Sequence, residues 1–131
     1  MAKREWLRPT DAELAILKVL WRQGPSTVRQ VWDEIKSLQP TGYTTALKQL
    51  QIMAAKGIVD RDLSQRSHVY RARFDEDVTQ KRLVDDLMER AFGGSAERLV
   101  MQALATKRAT SDELDAIRRL IDEMDAKRGG S

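Results

Sequence analysis

Cysteine is absent from the 131 residues, which excludes disulfide staples, thiolate metal clusters and cysteine nucleophiles. Histidine occurs once, at His68, so no site needing two or more imidazoles can be assembled. No run approaches the roughly 20 apolar residues that span a bilayer. The opening Met-Ala-Lys-Arg-Glu carries no apolar segment of the kind a secretion signal needs, so the chain is expected to stay in the cytoplasm without membrane insertion. Net charge is only +3, too small to mark a uniformly basic or acidic protein. What remains is 41% hydrophobic and 33% charged, enough for one small domain with an appendage and a modest core. No cofactor is expected.

The charge is unevenly spread. Residues 1 to 74 carry 13 Lys or Arg against 7 Asp or Glu, a net of +6, while residues 75 to 131 carry 10 against 13, a net of −3. A half that attracts polyanions joined to one that does not suits a nucleic-acid reader with a separate assembly region. An ordinary solvated surface would give the same sum.

Thr41 to Phe74 is the most informative stretch. Ala46, Leu47, Leu50, Met53 and Ala54 recur at the three-and-four spacing of one buried helical face. Thr45, Lys48, Gln49 and Ile52 share the opposite face, where short hydroxyl, amide and ammonium groups suit base edges and phosphates in a major groove. Gly57 stops this helix. Two extended segments follow, Ile58 to Leu63 and His68 to Phe74, joined by the polar tip Ser64-Gln65-Arg66-Ser67.

Upstream, Thr10-Asp11-Ala12-Glu13 is a capping box, so a helix opens near Thr10 and carries the stripe Leu14, Leu17, Leu20, Trp21 until Gly24-Pro25. Ser26 or Thr27 can cap a second helix with the stripe Val28, Val31, Trp32, Ile35, Leu38, ended by Gln39-Pro40-Thr41-Gly42. A third helix begins near Tyr43, its positive dipole end available to a phosphate. Three helices and a hairpin make a winged helix-turn-helix, so the fold expected is mainly α with a small β-wing.

Past Phe74 the pattern is wholly helical. Val84, Leu87, Met88 and Ala91 mark a fourth helix ending at Gly93-Gly94. Leu99, Val100, Ala103 and Leu104 mark a fifth, opened by Ser95. Thr110-Ser111-Asp112-Glu113 caps a sixth with Leu114, Ile117, Ile121 and Met124 along one side. Such short helices bury too little surface among themselves to offset their chain entropy, and a second copy commonly completes them. Residues 1–74 therefore read as a DNA-binding domain and residues 75–131 as a helical dimerisation domain. The alternative is that the late helices fold back as extra core.

The residues resemble the penicillinase-repressor group typified by BlaI and MecI, which includes a copper-responsive branch. The likeness lies in Pro9-Thr10-Asp11-Ala12-Glu13-Leu14 leading to Leu20-Trp21, in Val28-Arg29-Gln30-Val31-Trp32, in Tyr43-Thr44-Thr45-Ala46-Leu47, in Lys56-Gly57-Ile58-Val59, and in Arg66 with Val69-Tyr70. The resemblance implies a homodimeric transcriptional repressor on dyad operator DNA. It places Thr44, Thr45, Lys48 and Gln49 at the major groove, Tyr43 at its entry and Arg66 on the wing beside phosphate. Thr44 and Thr45 as helix caps, Lys48 as a solvated lysine and Arg66 as a solvated tip are the plain alternatives. Tyr43 and Tyr70 read as packing residues with a polar rim. His68 reads as a half-buried structural side chain, since nothing else here completes a metal site with it.

Some positions depart from the group's pattern. Ile52 stands where relatives often have arginine, and Gln65 where they commonly have glycine. In antibiotic-responsive members a signal-activated protease is a further partner and cuts at an Asn-Phe pair. Gln102-Ala103 occupies that place here, which leaves the release mechanism open. The copper branch's paired cysteines are missing. Asp85, Asp86, Asp112, Glu113, Asp122 and Glu123 sit among lysines and arginines on helical faces and look solvated, so an enzyme is not expected. A ligand-responsive winged-helix regulator and a protein-interaction module remain as alternatives, the second calling for exposed apolar residues on the recognition face, where Ile52 stands by itself.

Overall fold

The structure is a computed structural model and describes residues 6–64, 66–106 and 108–129. Its elements in chain order are α1 (Asp11–Gln23), β1 (Ser26–Thr27), α2 (Val28–Ile35), α3 (Tyr43–Lys56), β2 (Val59–Asp62), β3 (Val69–Ala72), α4 (Glu76–Ala91), α5 (Ala96–Thr106) and α6 (Ser111–Gly129). They form two compact units, the first ending at Val84 and the second starting at Asp85. Pattern alone places the division after Phe74. The difference comes from α4, whose Thr79 is buried and whose first turns belong with the first unit.

In the first unit, α1 opens on the expected capping box. The Glu13 amide donates to Thr10 Oγ1 at 3.2 Å and the Thr10 amide donates to Glu13 Oε1 at 2.9 Å. A second box, beyond those expected from the sequence, opens α2, where Thr27 and Gln30 exchange bonds of 3.2 and 2.8 Å. α3 starts at Gly42, which offers no side-chain cap, and ends at Gly57 in the left-handed region with φ near +80°. A Cβ at Gly57 would be strained there and would also lie 3.1 Å from Arg73 Nη1.

The sheet has three antiparallel strands in the order β1-β3-β2, one more than the hairpin expected. β3 is central, pairing Tyr70 with Ser26 on one side and with Arg61 on the other. Only two residues long, β1 is too short to leave a strand pattern. The hairpin strands are also shorter than expected, ending at Asp62 and Ala72, which leaves Leu63 outside the ladder and exposed.

One core lies beneath this arrangement. Ile16, Leu17 and Leu20 of α1, Val31 and Ile35 of α2, Leu50 and Met53 of α3, and Val59 and Tyr70 of the sheet are all buried. Trp21 joins its edge, and its indole N–H donates to the Phe74 carbonyl at 3.0 Å. Leu38 is a correction. It was expected in the α2 stripe, but α2 stops at Ile35 and Leu38 is 72% exposed, because the helical spacing no longer applies beyond that end. Ile16 and Val19, by contrast, are buried without having been expected in the stripe.

The second unit holds the end of α4, then α5 and α6. Ser95 opens α5, accepting from the Arg98 amide at 3.1 Å, and the Thr110–Glu113 box opens α6 with two bonds of 3.0 Å. No residue of α5 or α6 is buried.

Candidate nucleic-acid interface

α3 presents two faces. Ala46, Leu50 and Met53 are fully buried, and their burial turns the other side of the helix outward. On that side Thr44, Thr45 and Lys48 are exposed and Gln49 is half-buried, and Ile52 is 37% exposed at the far end of the same face. Thr44 and Thr45 do not cap the helix, since the N-cap is Gly42. Tyr43 stands at the entry, 43% exposed, with its ring edge-on to Trp32 at a centroid distance of 5.8 Å.

Beside this entry lies a groove of about 310 Å³ between the start of α2, the start of α3 and the wing. Thr27, Arg29, Tyr43, Arg66 and His68 line it. Two guanidinium groups and an imidazole thus share one concavity with the positive end of the α2 dipole, an arrangement that suits an anion such as a backbone phosphate. Arg29 is a candidate that sequence reasoning missed. The signal was present in Thr27-Val28-Arg29-Gln30, a capping box that fixes Arg29 in the first turn of α2.

Two tyrosine and histidine expectations need correcting. His68 was expected to be half-buried, yet it is exposed, because β3 begins only at Val69 and His68 belongs to the turn. Tyr70 was expected to keep a polar rim, but it is 0% exposed and its hydroxyl has no hydrogen-bond partner among the described residues. The wing turn itself is set by Asp62, which accepts from the Ser64 amide at 2.9 Å, and hydrogen bonding from Ser64 holds its carboxyl below the usual range. Gln65 and the Met1–Glu5 segment lie outside the described residues.

Behind α3 sits Glu13, 2% exposed. Lys56 Nζ, at the last residue of α3, donates to its Oε2 at 2.8 Å. Burial alone would push the Glu13 carboxyl up, but the bonds from Lys56 and Thr10 and the Lys56 charge together outweigh it and hold the carboxyl below its ordinary value. Among the described residues no cluster of three or more His, Cys, Asp or Glu is placed to hold a metal ion, and no helix is long and apolar enough to cross a membrane.

A family model described as penicillinase repressor matches residues 9–123. The chain belongs to the penicillinase repressor family. A transcriptional regulator BlaI of Mycobacterium tuberculosis is 32% identical over 121 residues, covering 91% of this chain and 86% of that protein. A penicillinase repressor of Bacillus licheniformis is 21% identical over 114 residues, covering 87% and 89%. A solution structure of the DNA-binding domain of the repressor BlaI is similar over 51% of this chain and 82% of that one, at 27% identity and a TM-score of 0.47. These relatives are transcriptional repressors and regulators, not enzymes.

Of the dimerisation candidates, Val84, Leu87, Val100, Leu104, Ile121 and Met124 are exposed in the single chain. Met88, Leu99, Leu114 and Ile117 are less open than these. Met101 and Leu120 are exposed as well and were not among the candidates. Gln102 and Ala103 stand exposed on α5.

Proposed function

We propose that this protein is a cytoplasmic transcriptional repressor that reads a dyad operator as a homodimer, with α3 in the major groove and the β2–β3 wing against the flanking backbone. The observation that carries the reading is the alignment of Thr44, Thr45, Lys48 and Gln49 along one side of a helix whose other side is core, next to a groove lined by Arg29 and Arg66. In this reading Thr45 and Gln49 meet base edges, Tyr43 marks the groove entry, and Arg29, Lys48, Arg66 and His68 meet phosphate. Ile52 adds an apolar group suited to a thymine methyl.

Support for the homodimer comes from α5 and α6. Helices that bury none of their own residues yet carry Val100, Met101, Leu104, Leu120, Ile121 and Met124 on their surfaces need a cover, and a second copy provides one with the same pattern. Two linked reading heads then engage two half-sites, and the joint affinity far exceeds that of either alone.

A gel-shift titration tests this, using the DNA upstream of the protein's own gene against an unrelated duplex at near-physiological salt. The expected result is a saturable shift of the upstream fragment alone, with a footprint of two symmetric half-sites. Equal binding to both duplexes would refute sequence-specific reading of that fragment, and binding to neither would move the chain to a protein-interaction role.

A further inference from the structure

We propose that Trp32 and the Glu13–Lys56 pair are positioning residues for DNA recognition: they hold α3 at its two ends from behind and set the angle at which its polar face meets a duplex. The proposal rests on α3 being the reading helix.

α3 enters without a cap of its own, because Gly42 has no side chain to accept from the first turn. Trp32 supplies the missing anchor. Its Nε1–H donates to the Thr41 carbonyl at 2.7 Å, its ring meets Tyr43 edge-on, and Lys36 Nζ lies 4.2 Å from the ring centroid on α2's side. The residue that fixes the turn before α3 therefore also fixes the first residue of α3.

The far end is held by charge. Glu13 is committed to the start of α1 through its Oε1, which accepts from the Thr10 amide, and its Oε2 reaches Lys56. A carboxylate this deeply buried persists only because both oxygens are paired. Replacing such a pair by apolar groups of like volume is often near neutral for stability, so stability alone does not single out an ion pair at this position. Direction is what it adds. Ala46, Leu50 and Met53 hold α3 by apolar packing, which resists separation but is non-directional. The bonds at Thr41 and Lys56 have fixed lengths and angles, and they bracket the helix.

Base readout is the step that needs this bracketing. A bond to a base edge weakens steeply with a small tilt, whereas a lysine or arginine on a flexible stem follows a phosphate through the same tilt. Loosening the ends of α3 should lower sequence discrimination while leaving the non-specific electrostatic attraction in place.

The test uses the full chain and a duplex that the wild type selects from a randomised library. E13Q/K56M keeps a capping-box residue at position 13 and leaves no lone buried charge, and W32F keeps the ring while removing the indole N–H. Tryptophan fluorescence establishes that each variant is folded at the assay temperature. The expected result for each is a loss of about tenfold in affinity for the selected duplex, roughly one base pair's worth of discrimination, with affinity for a random duplex and the salt slope unchanged. Folded variants with the wild-type ratio of specific to random binding would overturn the proposal. So would an equal loss on both duplexes with a shallower salt slope, which would make Lys56 a phosphate contact. A wild type that selects no sequence fails at an earlier step, and that result refutes the DNA reading of α3 itself.

Discussion

Tyr70→Phe is expected to stabilise the first unit, an outcome opposite to that of most core substitutions. Tyr70 occupies the central strand β3, is 0% exposed and carries a hydroxyl with no hydrogen-bond partner among the described residues. A buried hydroxyl in that state costs about 1–3 kcal/mol relative to its hydrated form. Phenylalanine keeps the ring and its packing. The space left by one oxygen, roughly 20 Å³, costs about 0.5 kcal/mol at the usual cavity rate. The net gain should be about 1 kcal/mol, or a rise of about 4–8 °C in melting temperature for a domain of this size. Urea titration followed by tryptophan fluorescence isolates the effect, because Trp6, Trp21 and Trp32 all precede Val84 and report on the first unit. A loss of about 1 kcal/mol or more would show that the hydroxyl is satisfied in solution and would refute the reasoning.

Lys48→Ala should weaken specific binding and reduce the slope of log affinity against log salt by about 0.9 for each phosphate the protein no longer neutralises; an unchanged slope removes Lys48 from the phosphate-binding set. Ile121→Asp places a charge on an apolar stripe of α6 and should yield monomers by light scattering, whereas a variant that stays dimeric locates the seam elsewhere. Acid stability follows Glu13. Its native carboxyl titrates below the ordinary value near 4.5, so its contribution is complete above that pH and is lost as pH falls through the lowered native value. Wild type should lose stability on acidification below about 4.5, and Glu13→Gln should lose less over the same window. Parallel acid profiles for the two proteins would contradict this.

Much of the first unit was legible because its signals are local. Thr10 and Glu13 announce α1 within four residues, Gly57 ends α3 through its own backbone, and the three-and-four spacing of Ala46, Leu50 and Met53 sorts the two faces of α3 without outside information. What escaped depends on partners far along the chain. β1 is a strand only because β3 lies beside it, and Glu13 is buried only because Lys56, 43 residues later, reaches its second oxygen. Trp32 was assigned to a core stripe, and its bond to Thr41 depends on the path of the turn after α2. Arg29 joins the candidate interface through the wing folding back beside α2, a non-local arrangement that periodicity does not encode.

The bare surfaces of α5 and α6 carry a consequence for abundance. Helices with no buried residue of their own draw their folding free energy from whatever covers them, so in a homodimer their order depends on protomer concentration through mass action. Dilution would then loosen this half first while the core around Val31, Leu50 and Tyr70 stays intact. In the proposed homodimer, low copy number would release the two reading heads from each other well before those heads unfold.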